Sequence, residues 1–196
     1  MIKFKEFGMP TDQKGFTLIE LMIVMAMISI LASVAGYSLL SQLPNYRLNK
    51  AANELFSDFH LAKSTAVSTM ETVQFDFDTI NGSYTIKKLG NDNEDGGVGA
   101  AQDQVIKQVF LKNFKSGVRF GSGPATSRIR GESFDGKFVS YEPDPKTAFR
   151  ANGIATVLGY VYLTNDKNNL CYAVGTPAHS GVVRMKKTAM ESWPND

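Results

Sequence analysis

The chain has 196 residues, enough for one domain of ordinary size plus an appendage such as a membrane anchor, and too few for two full domains. Its 21 basic and 19 acidic residues leave a formal charge of +2, so no overall field makes nucleic acid the default partner, and any basic site must be local. With Cys171 as the single cysteine, an internal disulfide and a zinc site built on several thiolates are both excluded.

From Leu21 to Leu43 no side chain is charged. About 23 helical residues at 1.5 Å each reach roughly 34 Å, enough to cross a bilayer core of about 30 Å. The run is too long for a cleavable secretory signal, and Pro44 and Asn45 after it make a poor small-residue cleavage site. Lys3, Lys5 and Lys14 precede the span and Arg47 and Lys50 follow it, so the positive-inside bias toward a cytoplasmic N-terminus is slight; the order of segments argues for it more firmly. Everything after Pro44 would then lie outside the cytoplasm.

Glu20 stands one turn before this apolar run. A carboxylate drawn into hydrocarbon costs about 2.5–3.5 kcal/mol on insertion scales, so Glu20 needs either a place at the headgroup level, where the helix dipole favours an acid, or a partner of opposite charge.

Beyond the span, Leu48, Ala52, Leu55, Phe59, Ala62 and Ala66 recur at spacings of four and three, which predicts an amphipathic helix continuing toward Met70, with Pro44 interrupting the hydrogen-bond ladder between the two halves. His60, among Asp58, Lys63 and Ser64, reads as a solvated surface residue.

After Met70 the period changes to two. Thr72–Phe77 alternates apolar and polar residues, Asn81-Gly82 supplies a turn, and Tyr84–Ile86 returns, a predicted hairpin. Asn91-Asp92-Asn93-Glu94-Asp95-Gly96 has the start of a calcium loop, but position twelve is Gln102 rather than a bidentate acid, and a solvated loop is the simpler reading. Further strands are expected at Val105–Leu111, Val118–Phe120, Lys137–Tyr141, Thr156–Thr164, Leu170–Val174 and Val182–Lys186. The polar cluster Asn165–Asn169 makes Thr156–Thr164 and Leu170–Val174 a second hairpin, with Cys171 as a buried structural thiol on its second strand. Gly121-Ser122-Gly123 lacks the context of a phosphate loop and reads as a turn. The two histidines, His60 and His179, have no catalytic motif around them, so no enzymatic constellation and no cofactor site is expected.

The string Lys14-Gly15-Phe16-Thr17-Leu18-Ile19-Glu20-Leu21-Met22-Ile23-Val24 closely resembles the processing site of type IV prepilins and type II secretion pseudopilins. The resemblance implies that a prepilin peptidase in the membrane cuts between Gly15 and Phe16 and N-methylates Phe16. It further implies that Glu20 pairs with the terminal amine of a neighbouring pilin or pseudopilin as helices pack in a filament, neutralising both charges away from water. Residues 1–15 would be a removed cytoplasmic leader, 16–43 a transmembrane and assembly helix in the bacterial inner membrane, 44–70 an amphipathic helix and 71–196 a periplasmic β-rich head. The fold class expected is α+β and type IV pilin-like, a long N-terminal helix packed on an antiparallel β head.

Within that class, Phe149-Arg150-Ala151-Asn152-Gly153-Ile154-Ala155, Val161-Tyr162-Leu163-Thr164-Asn165 and Gly181-Val182-Val183-Arg184-Met185 resemble the GspH/FimT subgroup. That resemblance implies a minor subunit, either a GspH-like pseudopilin for secretion of folded proteins or a FimT-like minor pilin of a type IV pilus or DNA-uptake machine. A membrane-anchored enzyme is the third reading. Arg184, Lys186 and Lys187 form a basic cluster that in some FimT-like pilins would contact DNA. Val182 stands where that motif carries an arginine, and Glu191 and Asp196 follow closely, which weighs against it.

Overall fold

The computed structural model describes residues 15–90, 103–129 and 131–193. The calcium-loop candidate at Asn91–Asp95 lies outside them.

A single helix, α1, runs from Leu18 to Thr69 over 52 residues and contributes to two compact units, Met1–Ser41 and Gln42–Asp196. In the first unit the described apolar side chains, among them Leu18, Met22, Met25, Ile28, Leu31 and Leu40, are exposed. The hydroxyls of Ser29 and Ser33 fold back onto the carbonyls of Met25 and Ser29, each at 2.8 Å. Polar groups satisfied in this way cost little in hydrocarbon. This part of the helix is long and apolar enough to cross a membrane.

The helix passes through Pro44 as one long helix, without the one ladder bond that a proline cannot donate. Anchors on the head follow at once: Asn165 Nδ2 donates to Asn45 Oδ1 at 3.0 Å and Arg47 donates to Ser116 Oγ at 2.7 Å. From there the expected stripe holds at every position, with Leu48, Ala52, Leu55, Phe59, Ala62 and Ala66 fully buried. Met70, at φ 58°, takes the left-handed conformation that ends the helix.

The head in the second unit holds two four-stranded antiparallel sheets. The first comprises β1 (Val73–Asp78), β2 (Ser83–Lys88), β3 (Gln104–Phe110) and β5 (Lys146–Phe149) in the order β3-β2-β1-β5. The second comprises β4 (Arg119–Phe120), β6 (Gly159–Thr164), β7 (Cys171–Thr176) and β8 (Arg184–Thr188) in the order β4-β6-β7-β8. Both predicted hairpins are present, β1 with β2 and β6 with β7.

The alternation of β1 sends Val73, Phe75 and Phe77 inward, where Phe59 of α1 stacks on Phe75 at 4.4 Å. Val161, Leu163, Tyr172 and Val174 join the same core from the second sheet. The opposite face of that sheet is also covered. Tyr160, Tyr162, Cys171 and Ala173 pack with Ala125, Ile129 and Phe134 in a second, smaller core, against which Trp193 closes with its Nε1 donating to Ser127 O at 2.8 Å. This is why β6 and β7 are buried along their lengths rather than alternating.

Two expectations need correction. The strand expected at Lys137–Tyr141 is a single bridge, Val139 opposite Val161, with Ser140 N and Tyr162 N bonding to Tyr160 O and Phe138 O. The strand β5 was not anticipated: its four residues gain strand form by pairing with the distant β1, which no local period announces.

Candidate functional site

The backbone from Gly15 to Thr17 is non-helical, and α1 begins at Leu18. Thr17 sits at the N-cap: its Oγ1 accepts from Glu20 N at 3.2 Å and its carbonyl from Leu21 N at 3.2 Å. Thr17-Leu18-Ile19-Glu20 therefore has the order of a capping box, a Thr-x-x-Glu signal that was readable in the sequence. Glu20 thus falls in the first turn, where the helix dipole favours a carboxylate.

The Gly15–Phe16 bond lies ahead of the helix, Phe16 is 79% exposed, and no atom comes within 4 Å of a Cβ built on Gly15. Among the described residues nothing packs so closely as to require glycine at that position. Gly15, Phe16 and Glu20 are consequently presented together: a peptide bond in open backbone, an apolar residue beside it, and an acid in the first helical turn.

The head candidates separate. In β8, residues two apart share a face, so Arg184 and Lys186 lie on one side and Lys187 on the other. Lys187 Nζ sits 5.8 Å above the ring of Tyr172, whose side chain belongs to the main core, while Lys186 is opposite Ala173 of the smaller core. The basic cluster of the sequence is therefore not one surface. His60 is exposed, its ring edge against Phe56, and His179 Nδ1 lies 3.1 Å from Ala155 O in an exposed turn. Cys171 is fully buried, and burial pushes its thiol up to about 12, which leaves it protonated and inert. Among the described residues no group of three or more His, Cys, Asp or Glu side chains could hold a metal.

Two of the three pieces that carry the subgroup resemblance meet beside α1. Gly181, at φ +64°, is so close to the turn at Gly153 that an added Cβ would lie 2.1 Å from Gly153 O. Ala155 N donates to His179 O at 3.0 Å, and Lys63 Nζ of the helix donates to Gly181 O at 2.9 Å. These glycines join two turns to a helix.

A polar network that the sequence did not single out also ties α1 to the first sheet. Lys107 Nζ on β3 bonds to Glu54 Oε1 at 3.0 Å and to Asp58 at 2.8 and 2.9 Å, and Tyr84 OH of β2 donates to Asp58 Oδ2 at 2.7 Å. Asp58 is buried, although His60 two residues on is exposed. Burial works against the Lys107 charge, but its hydrogen bonds to Asp58 and Glu54 outweigh it and raise the ammonium above its ordinary range. Burial and the Asp58 carboxylate hold the Tyr84 phenol protonated.

Residues 10–36 match the family model of the prokaryotic N-terminal methylation motif. No curated protein matches the chain. Among solved structures it is similar to the minor pseudopilin EpsH from the Type 2 Secretion System of Vibrio cholerae, with 16% identity and a TM-score of 0.46 over 71% of this chain and 95% of that one. It is likewise similar to the type IV minor pilin FimU of Pseudomonas aeruginosa (strain PAO1), with 11% identity and a TM-score of 0.46 over 76% of this chain and 94% of that one.

Proposed function

We propose that the chain is the precursor of a filament subunit, a minor pseudopilin of a type II protein secretion system. The observation that carries this reading is the order of the N-terminal segment: Gly15 and Phe16 in open backbone, Glu20 in the first turn, then an unburied apolar helix able to span a membrane. A prepilin peptidase cuts between Gly15 and Phe16 and methylates the new terminal amine. Cutting on the cytoplasmic side removes the charged leader and leaves α1 as anchor in the inner membrane, with the head in the periplasm. The freed amine of Phe16 and the Glu20 carboxylate of an adjacent subunit then pair, which removes the penalty on each charge in an apolar filament core. The subunit turns over no substrate and needs no cofactor.

The second reading is a minor pilin of a type IV pilus or DNA-uptake machine. DNA contact through Arg184, Lys186 and Lys187 is weakened by their division between the two faces of β8. Deleting the gene in its own bacterium tests the choice. The secretion reading predicts that folded exoproteins stay in the periplasm while surface pili are unchanged. Loss of pili or of DNA uptake with normal secretion would overturn it in favour of the pilus reading.

A further inference from the structure

A groove of about 670 Å³ opens in the head. It is lined by the β1–β2 turn, the 3-10 turn Leu111–Phe114, β4 and the segment 136–145. Its apolar wall includes Leu111, Val118, Phe120, Val139 and Tyr141. Its charged residues are three cations, Lys112, Arg119 and Lys137, against one acid, Glu142.

The cations differ in how far they are already neutralised. Arg119 is bonded to Asp166 Oδ1 at 3.0 Å, and Lys137 lies 3.6 Å from Glu142, with both of those side chains more than half exposed. Lys112 rests its ammonium 5.2 Å above the Phe110 ring and has no ion pair among the described residues. The groove therefore keeps unspent positive charge beside an apolar floor.

Ile80 adds a second observation. It lines the groove, yet is 94% exposed at the tip of a turn, where polar residues are the rule. The turn is held rather than loose: Asp78 Oδ1 accepts from Ile80 N at 3.0 Å and Asn81 N at 2.9 Å, and Asn81 Nδ2 donates to Asp78 Oδ2 at 2.6 Å. An isoleucine carried on a turn whose backbone is held by these bonds is presented on preorganised backbone, which lowers the cost of ordering it in a contact.

We propose that this groove docks an extended acidic segment of another protein. An apolar side chain of the segment packs on Ile80, Phe120 and Val139, and its flanking carboxylates meet Lys112 and Lys137. The chemistry of the walls selects this occupant: an uncharged apolar strand would leave the cations unused, and a basic one would be repelled. The inference goes beyond filament assembly, since it draws on residues 79–145 alone and its test requires neither cleavage nor polymerisation.

The test uses the full chain in detergent micelles and a fluorescein-labelled octapeptide that alternates glutamate and phenylalanine, with a lysine-for-glutamate peptide as the control. Anisotropy should give a saturable isotherm for the acidic peptide and at least about tenfold weaker binding for the basic one. The exposed double substitution Lys112→Glu with Lys137→Glu should weaken the acidic peptide about tenfold and strengthen the basic one, with the micelle background unchanged. Ile80→Ser should weaken both, about threefold or more. Equal binding of the two peptides, no binding of either, or indifference to the double substitution would overturn the proposal. Sedimentation of the unlabelled protein completes it: self-association lost in the same double variant would assign the groove to a second copy and overturn the foreign segment.

Discussion

Gly15 is a residue whose side-chain space is empty of the described residues, and that makes it a clean test of processing. Among the described residues no neighbour lies within 4 Å of a Cβ added there. Gly15→Leu should therefore leave the thermal unfolding of the head unchanged while the precursor accumulates uncut in the membrane fraction on an immunoblot. Glu20 separates a second step. Glu20→Ala loses an acid from the first turn, which the dipole values at about 0.3–1 kcal/mol, too little to stop a long helix forming. It should insert and be cleaved but enter sheared filaments at least tenfold less than the parent; equal incorporation would remove the charge-pair role. Both positions are proposed from the sequence alone, because the Gly-Phe-x-x-x-Glu spacing needs no tertiary context. The burial of Asp58 was not legible there, since His60 and Ser64 close to it in sequence are on the solvent side, and only the approach of Lys107 and Tyr84 from β3 and β2 explains it.

At the scale of elements, that same network is what locks α1 to the first sheet. Asp58→Ala leaves the Lys107 ammonium and the Tyr84 hydroxyl without their shared acceptor, and hydrogen bonds to charged groups of this kind are worth about 1.5–3 kcal/mol together with their desolvation. Denaturant unfolding should show a loss in that range, and Lys107→Met, which removes the cation but keeps its stem, a smaller one. The pH dependence has a definite sign. The Lys107 ammonium is raised above its ordinary value of 10.5, so its contribution is fully present below that pH and is lost as pH rises through the raised value. The Asp58→Ala variant should consequently lose less stability than the parent on going from neutral to strongly alkaline pH. The stripe from Leu48 to Ala66 could be read from spacing alone because a helix face is a local property. The four-residue β5 could not, as its form comes from pairing with β1, more than sixty residues earlier. Lys137–Tyr141 erred the other way: its apolar alternation serves burial against β6 through one bridge, not a ladder.

For the whole molecule, one helix serves two solvents. Its first part is exposed, apolar and able to span a membrane, and its second part supplies the stripe on which both sheets of the head close. The sequence marked that division by the end of its uncharged run and the start of the four-and-three spacing. It did not show the second core beyond β6 and β7, because Ala125, Ile129, Phe134 and Trp193 are scattered among loop residues and acquire a common face only when the chain folds across the sheet. The central claim is that this molecule is cut once, just before the helix. The measurement that tests it most directly is the intact mass of the protein extracted from membranes of cells that contain a prepilin peptidase. The account predicts a chain that begins at Phe16 and is one methyl group heavier than the bare sequence. An intact precursor, or a chain cut anywhere after Leu18, would contradict it.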